Sequence, residues 1–397
     1  MSTNFRYQQS QLLSDSGTNK VKILLGPRQI GKTTLLKSSF PGAVYINLEK
    51  SNYCEVFNSK DIDSIQSLVG SLKGNEQSTW ILDEVQRLVD PGLVAKVIFD
   101  EIPEVNLIIS GSSALEIVNK ASESLAGRKK TIHLYPLSFG EYLIQKYDVK
   151  VTSGGAKFNF SLTESKEYSD DIKRIMQYGL YPEVTNIESN SEKENYLLEL
   201  VDSIILKDIY YLNLVKNTKN LLSVLKLLAY QVGQLVNYSE IADRVGISRH
   251  TVLDYLELLK KSFIIYTLPP YTKKRRDEIG KTEKVYFYDL GIRNALINDF
   301  SPVEFRKDYG NLFENFVITE ILKLNEYSKL RYSLNYWRTK WGSEVDLVLT
   351  KDEQHKAIEI KVRGGKITPV FKDTYPETEE LVVTMNNFGS LLLGESL

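Results

Sequence analysis

The 397-residue sequence has one cysteine, Cys54, and three histidines, His133, His250 and His355. A single cysteine cannot close an intrachain disulfide or build a Cys-rich zinc site. Histidines this far apart also exclude an HExxH-type metal site. No apolar run approaches the ~20 residues that a bilayer span requires. The polar start, MSTNFRYQQSQLLSDSG, lacks the apolar stretch of a signal peptide, so a cytoplasmic chain is expected. Nor is there an excess of one charge: 50 Lys and Arg face 51 Asp and Glu, for a net charge of −1. That balance excludes a uniformly basic nucleic-acid binder. It averages over several domains, however, and basic residues gather at 128–130, 260–261 and 273–276. No internal repeat or low-complexity segment is evident.

Hydrophobic residues make up 42% and charged residues 25% of the chain, which excludes a mostly disordered protein. At roughly 100–200 residues per domain, the length implies about two to four domains. The apolar runs VKILL (21–25), AVYINL (43–48), STWIL (78–82), VNLIIS (105–110) and TIHLYPL (131–137) predict buried strands with helices between them. Such alternation implies an α/β domain with a parallel sheet over residues 1–150. Strand signals then fade, and apolar residues at three- and four-residue spacing predict a helical lid or linker over 151–235. A third texture, short helices followed by strands, runs from 236 to the C-terminus.

Gly26-Pro27-Arg28-Gln29-Ile30-Gly31-Lys32-Thr33 fits GxxxxGK[ST] between a predicted strand and a predicted helix. Backbone N–H groups of such a turn, with the following helix N-terminus, cradle phosphate. Lys32 would reach the β- and γ-phosphates of a nucleotide, and the Thr33 hydroxyl would ligate Mg²⁺. Thr34 adds a second hydroxyl. Asp83-Glu84 ends the STWIL strand: Asp83 would hold Mg²⁺ through water, and Glu84 would orient or deprotonate the attacking water. Ser110 and Ser112 end the VNLIIS strand, where a polar residue would either read the γ-phosphate or simply cap a turn. Arg128 would either be an arginine supplied to a neighbouring subunit's nucleotide or belong to a solvated basic patch with Lys129 and Lys130.

GPRQIGKTTLL, ILDEVQ, SGSSALEI, SLAGR, HLYPLSFGEY and YGLYPEV together resemble the prokaryotic AAA+-like P-loop ATPase family of the GPRQxGKTT type. The resemblance covers nearly the whole chain. It implies ATP binding and hydrolysis and supplies no further substrate.

Residues 237–268 predict a helix-turn-helix within a winged helix over 236–275, with Ser239 and Ser248 as caps and Gly246 in the turn. Arg249, His250 and Thr251 would then face a DNA major groove, and Lys273, Lys274, Arg275 and Arg276 would contact phosphates. The alternative is a packing or dimer module with a solvated basic loop.

The last segment, 276–397, carries a second set of chemical residues. A helix from Gly310 holds Glu314, and a strand holds Asp346. KAIEIKVR puts Glu359 and Lys361 on one strand face. With a turn near Glu353, Asp346 would lie across from about Ile360. Asp346 and Glu359 would ligate Mg²⁺, and Lys361 would balance developing charge. GSEVDLVL and AIEIK resemble the PD-(D/E)XK nuclease superfamily, which implies a restriction-endonuclease-like α/β domain.

The expected protein is thus a Mg²⁺-ATP-hydrolysing ATPase coupled to a nucleic-acid transaction. Its expected partners are ATP, duplex DNA and further copies of itself, with Arg128 acting in trans. The alternative is an ATP-dependent switch or scaffold whose C-terminal domain docks a protein without cleaving DNA.

Overall fold

A computed structural model describes residues 5–14, 20–72, 76–112, 125–147, 164–203, 217–272 and 282–389. They fall into two compact units, residues 1–137 with 261–263, and residues 138–260 with 264–397.

The first unit is built on a five-stranded sheet: β1 (Val21–Leu25), β2 (Ala43–Asn47), β3 (Glu76–Asp83), β4 (Asn106–Gly111) and β5 (Lys129–His133). Its order is β2-β3-β4-β1-β5, and every pairing is parallel. The mostly apolar texture of VKILL and LIIS suits strands covered on both faces, as a parallel sheet requires, and all of β1 is buried, Lys22 included. Helices α1 (Gln8–Leu13), α2 (Lys32–Ser39), α3 (Ser51–Ser59), α4 (Ile62–Ser71) and α5 (Pro91–Glu101) belong to the same unit among the described residues. Pro91 at the first turn and the Asp90 side chain, which accepts from Leu93 N–H at 2.9 Å, start α5 where the sequence offers a cap. The fifth strand begins at Lys129, earlier than TIHLYPL suggests, because Val21 N–H already donates to the Arg128 carbonyl at 2.8 Å. Because β4 is inserted between β1 and β3, the ends of all three strands converge where their connecting loops emerge.

The second unit opens with α6 (Phe139–Tyr147), α7 (Glu164–Tyr178), α8 (Pro182–Asn186), α9 (Asn190–Ser203) and α10 (Thr218–Tyr230). Next come α11 (Tyr238–Val245) and α12 (Arg249–Lys261), joined by a turn at Gly246, whose φ of 74° lies in the left-handed region. The cap of α11 is Asn237, not Ser239. Asn237 is extended and its side chain accepts from Glu240 N–H at 3.2 Å, whereas Ser239 is already inside the helix. Ser248 does cap the second helix, accepting from Thr251 N–H at 3.0 Å. An antiparallel pair follows, β6 (Ile265–Leu268) with β7 (Lys284–Phe287). The basic run Lys273–Arg276 lies outside the described residues.

After α13 (Leu290–Ile297), the chain runs α14 (Tyr309–Tyr327), β8 (Ser333–Arg338), β9 (Glu344–Lys351), β10 (Gln354–Ile360), α15 (Pro369–Thr374) and β11 (Glu379–Val383). The sheet order is β11-β10-β9-β8, with β10 and β11 parallel and the other pairs antiparallel. The YGLYPEV segment has a packing role. Gly179, at φ 76°, leaves room for the buried Asp289 carboxylate, which accepts from Leu180 N–H at 2.6 Å and caps α13 through Ile292 N–H at 3.1 Å.

Candidate functional site

The phosphate loop leaves β1 and enters α2 at Lys32. Gly31 (φ 86°) and Gln29 (φ 59°) both take left-handed conformations that fold the loop back on itself. Lys32 Nζ donates to the loop carbonyls of Gly26 at 2.9 Å and Pro27 at 2.7 Å, so the ammonium lies over the cradle. Ile30 is buried, Arg28 half-buried and Thr34 exposed.

Across the sheet, Asp83 is buried at the end of β3 and gathers the site. Its Oδ2 accepts from Thr33 Oγ1 at 2.6 Å and from the Tyr45 hydroxyl at 2.5 Å. Its Oδ1 accepts from Ser110 Oγ and from Glu84 N–H, the latter at 3.1 Å. Burial, with the adjacent Asp83 carboxylate adding to it, holds the Tyr45 phenol well above its usual pKa. Glu84 stands in the left-handed region at φ 61°, a strained conformation of the kind that clusters at functional sites. Gln86 Nε2 donates to the Glu84 carboxylate and, at 3.2 Å, to Ser112 Oγ. Lys32, Thr33, Asp83, Glu84, Ser110 and Ser112 are therefore linked around one loop cluster. Tyr45 and Gln86 complete it: Tyr45 stands in no motif, whereas Gln86 closes the ILDEVQ segment without a role assigned from sequence. Arg128 lies at the other end of β1, where its guanidinium meets Asp100 at 3.6 Å and is 43% exposed.

The second unit assembles the carboxylates. The β9–β10 turn is at Asp352–Glu353, with Gln354 opposite Lys351 and Ile358 opposite Leu347. Continuing that register sets Asp346 across from Glu359, one residue short of the expected Ile360. The reason is that the turn is centred between 352 and 353, with Asp352 at φ 51°. Asp346 Oδ2 accepts from Ile360 N–H at 2.7 Å and from Lys361 Nζ at 2.8 Å, and Lys361 also meets Glu359 Oε1 at 2.8 Å. Lys361 follows the end of β10, yet its side chain returns between the two acids. Burial pulls the Lys361 pKa down, but Asp346 and Glu359 together carry it above the usual lysine value. Burial, with Asp346 nearby, raises Glu359, whose Oε2 is buried with no hydrogen-bond partner among the described residues.

Glu314 faces this cluster from α14, but its own contacts are with β7. It accepts from Lys284 Nζ at 3.1 Å and from the Tyr286 hydroxyl at 2.6 Å. Lys284, only 3% exposed, also pairs with Glu344, which shares a face of β9 with Asp346. Burial pushes Glu314 up to about 7, with Lys284 opposing the shift and Asp346 adding to it. Asn315 fixes α14 on β7 by accepting from Phe287 N–H at 2.8 Å and donating to the Phe287 carbonyl at 2.9 Å. Glu344 was legible from its two-residue spacing to Asp346. Lys284 and Tyr286 were not, because only the fold brings β7 to this helix. Among the described residues no group of three or more His, Cys, Asp or Glu side chains is arranged to hold a metal ion.

At the start of α12, Arg249 and His250 are exposed. The Arg249 guanidinium lies 5.7 Å from the Tyr238 ring centre, and His250 Nδ1 is 2.9 Å from Asp254 Oδ2. No helix of the described residues is long and apolar enough to cross a membrane.

Residues 18–143 match a family model described as an AAA domain. Residues 169–302 and 309–387 match two models described as domains of unknown function, DUF8612 and DUF4143. The chain is 28% identical over 406 aligned positions to an uncharacterized protein of Haemophilus influenzae, covering 96% of this chain and 91% of that one. It is 25% identical over 366 positions to an uncharacterized protein of Methanocaldococcus jannaschii, covering 87% and 75%. Among solved structures, a Signal Transduction ATPase with Numerous Domains from Pyrococcus horikoshii gives a TM-score of 0.30 at 13% identity. That alignment covers 81% of this chain and 47% of the other, so the chain spans about half of that protein. AMPPCP-bound DnaA from Aquifex aeolicus gives 0.27 at 15% identity, covering 64% and 85%. The phosphate loop, the parallel sheet and the matched model together make residues 18–143 an AAA-type, P-loop ATPase-like domain.

Proposed function

We propose that this chain binds and hydrolyses Mg²⁺-ATP and couples hydrolysis to a nucleic-acid transaction through a winged helix and a nuclease-like C-terminal domain. The observation that carries the ATPase reading is the Thr33–Asp83 hydrogen bond of 2.6 Å between the phosphate loop and the acidic strand end. A hydroxyl and a carboxylate side by side are hard oxygen donors that fit Mg²⁺. Lys32 would exchange the Gly26 and Pro27 carbonyls for the β- and γ-phosphates. Glu84, held by Gln86, would align the attacking water and take its proton. Arg128 follows Leu125 into the start of β5, whereas the phosphates would lie beyond the end of β1. Five residues of strand separate those ends by about 13–17 Å. Arg128 is thus out of reach of its own phosphates, which favours a role on a neighbouring copy.

For the second unit, the helix–three strands–helix–strand order and the meeting of Asp346, Glu359 and Lys361 support the nuclease-like reading. The unpartnered Glu359 Oε2 fits a cation held with Asp346 and the Ile360 carbonyl. Bound Mg²⁺ would supply charge neutralisation at phosphate and activation of water. Lys361 would stabilise charge developing on the phosphodiester. One observation favours the alternative, a docking domain without cleavage: Lys361 already bridges both acids.

ATP turnover measured with and without duplex DNA tests the proposal. Lys32→Ala should abolish turnover, and DNA should stimulate the wild type. A chain that neither binds DNA at low salt nor responds to it would end the nucleic-acid reading. Mg²⁺-dependent nicking that disappears in Asp346→Ala and Lys361→Ala would separate cleavage from docking.

A further inference from the structure

Gln8 is 1% exposed, and both of its amide atoms, Oε1 and Nε2, are buried with no hydrogen-bond partner among the described residues. Most buried polar atoms in folded proteins are paired, so an amide with both ends open calls for a partner. Its position in the first unit points to which ligand. Gln8 and Leu12, four residues apart, form the buried face of α1, and α1 packs against α2 and β5. Just before the helix, Arg6 is tied to the phosphate loop through the Ile30 carbonyl at 3.5 Å, and to the chain after β5 through the Tyr135 carbonyl.

The sheet order gives a direction to any nucleotide in the loop. Thr33, Asp83 and Ser110 mark the terminal-phosphate side, toward β4 and β3. The nucleoside must leave on the other side of β1, toward β5, where Arg6, Gln8 and Tyr135 lie.

We infer that Gln8 is the base-reading residue of the nucleotide site and that it selects adenine over guanine. A glutamine amide pairs with adenine in both directions, its Oε1 accepting from the N6 amine and its Nε2 donating to a ring nitrogen. On the edge where that ring nitrogen is N7, guanine presents two acceptors, O6 and N7, so either orientation of the amide sets Oε1 against an acceptor. A site built on such a bond rejects the mismatched ligand strongly, because the buried group is then left unpaired. The amide is closed from solvent, so the base enters as α1 swings outward. The helix is six residues long, and among the described residues the bonds of Arg6 and Lys130 and the buried Leu12 side chain hold it to the sheet. The inference rests on the phosphate-loop reading and adds to it the residue that reads the base.

The test is calorimetric titration of the full chain with Mg²⁺ and ATP, GTP or inorganic triphosphate, in wild type and in Gln8→Leu and Gln8→Ala. The wild type should prefer ATP to GTP by about tenfold or more, and both variants should lose most of that ratio through weaker ATP binding. Triphosphate has no base and should bind all three proteins alike. Without nucleotide, Gln8→Leu should melt no lower than wild type, since it removes no hydrogen bond. An ATP-to-GTP ratio unchanged in the variants, with triphosphate still bound, would overturn the role of Gln8 and leave the phosphate loop standing. Wild type that binds neither ATP nor triphosphate would overturn both.

Discussion

Thr33 Oγ1 and Asp83 Oδ2, fifty positions apart in sequence, lie 2.6 Å from each other between the first turn of α2 and the end of β3. Asp83 also accepts from Tyr45 and Ser110, so one buried carboxylate satisfies three hydroxyls. Asp83→Ala should therefore lower stability as well as remove ATP turnover. The buried Ser110 hydroxyl left without an acceptor costs about 1–3 kcal/mol, and the half-buried Thr33 and Tyr45 hydroxyls cost less because water reaches them. Thermal melting of Asp83→Ala beside Asp83→Asn, which keeps an acceptor oxygen, checks this. Equal melting temperatures for Asp83→Ala and wild type would contradict the network.

The Glu84 carboxylate is held by Gln86. Glu84→Gln should keep ATP binding near the wild-type level while turnover falls about 10²-fold or more. Nucleotide titration and steady-state turnover on one preparation measure both quantities. Turnover that survives would assign the proton to another group.

Lys284 pairs with Glu314 and Glu344 and is 3% exposed. Lys284→Met leaves two carboxylates without their cation, and breaking a buried pair in this way costs about 3–5 kcal/mol. Urea unfolding should show the loss as a lower midpoint. The double variant Lys284→Met with Glu314→Gln should recover part of it, since one stranded charge is then gone. A single variant as stable as wild type would mean the pair contributes nothing.

The Glu314 carboxyl is raised from 4.5 to about 7, with burial as the main cause. A folded pKa above the unfolded one means that the native state holds the extra proton between those values. Stability should therefore fall as pH rises from 4.5 to about 7 and level off above it. Burial raises Asp289, Glu320 and Glu359 in the same direction, so they add to the slope. Unfolding free energy measured across this window should show the decline, and Glu314→Gln should make it shallower. An identical slope in the variant would remove Glu314 from the titration.

Gly179 is at φ 76°, and a side chain there would strike the Asp289 carboxylate. Gly179→Ala should cost about 1–3 kcal/mol through the backbone conformation alone, before the collision is counted. The variant's unfolding midpoint gives the answer, and an unchanged midpoint would show that the carboxylate can move aside at no cost.

Features that depend on neighbours along the chain are written in local pattern. Runs such as VKILL and STWIL are too apolar to face water, so they had to become buried parallel strands. The phosphate loop and α2 followed from Gly31, Lys32 and Thr33, and Glu359 and Lys361 shared a face through the two-residue period of a strand. A one-residue slip in the β9–β10 turn and the choice of Asn237 over Ser239 as a cap were beyond that reading. Both depend on backbone angles that several nearby residues can adopt. Tertiary structure alone decided which distant strands lie side by side. It inserted β4 between β1 and β3, so that Ser110 reaches Asp83, and it brought β7 against α14, so that Lys284 and Tyr286 hold Glu314. It also buried the Gln8 amide, which local pattern reads as one polar residue in a polar start. Periodicity records which face of an element is covered. The covering element is chosen by packing between segments far apart in sequence, and there these contacts were set.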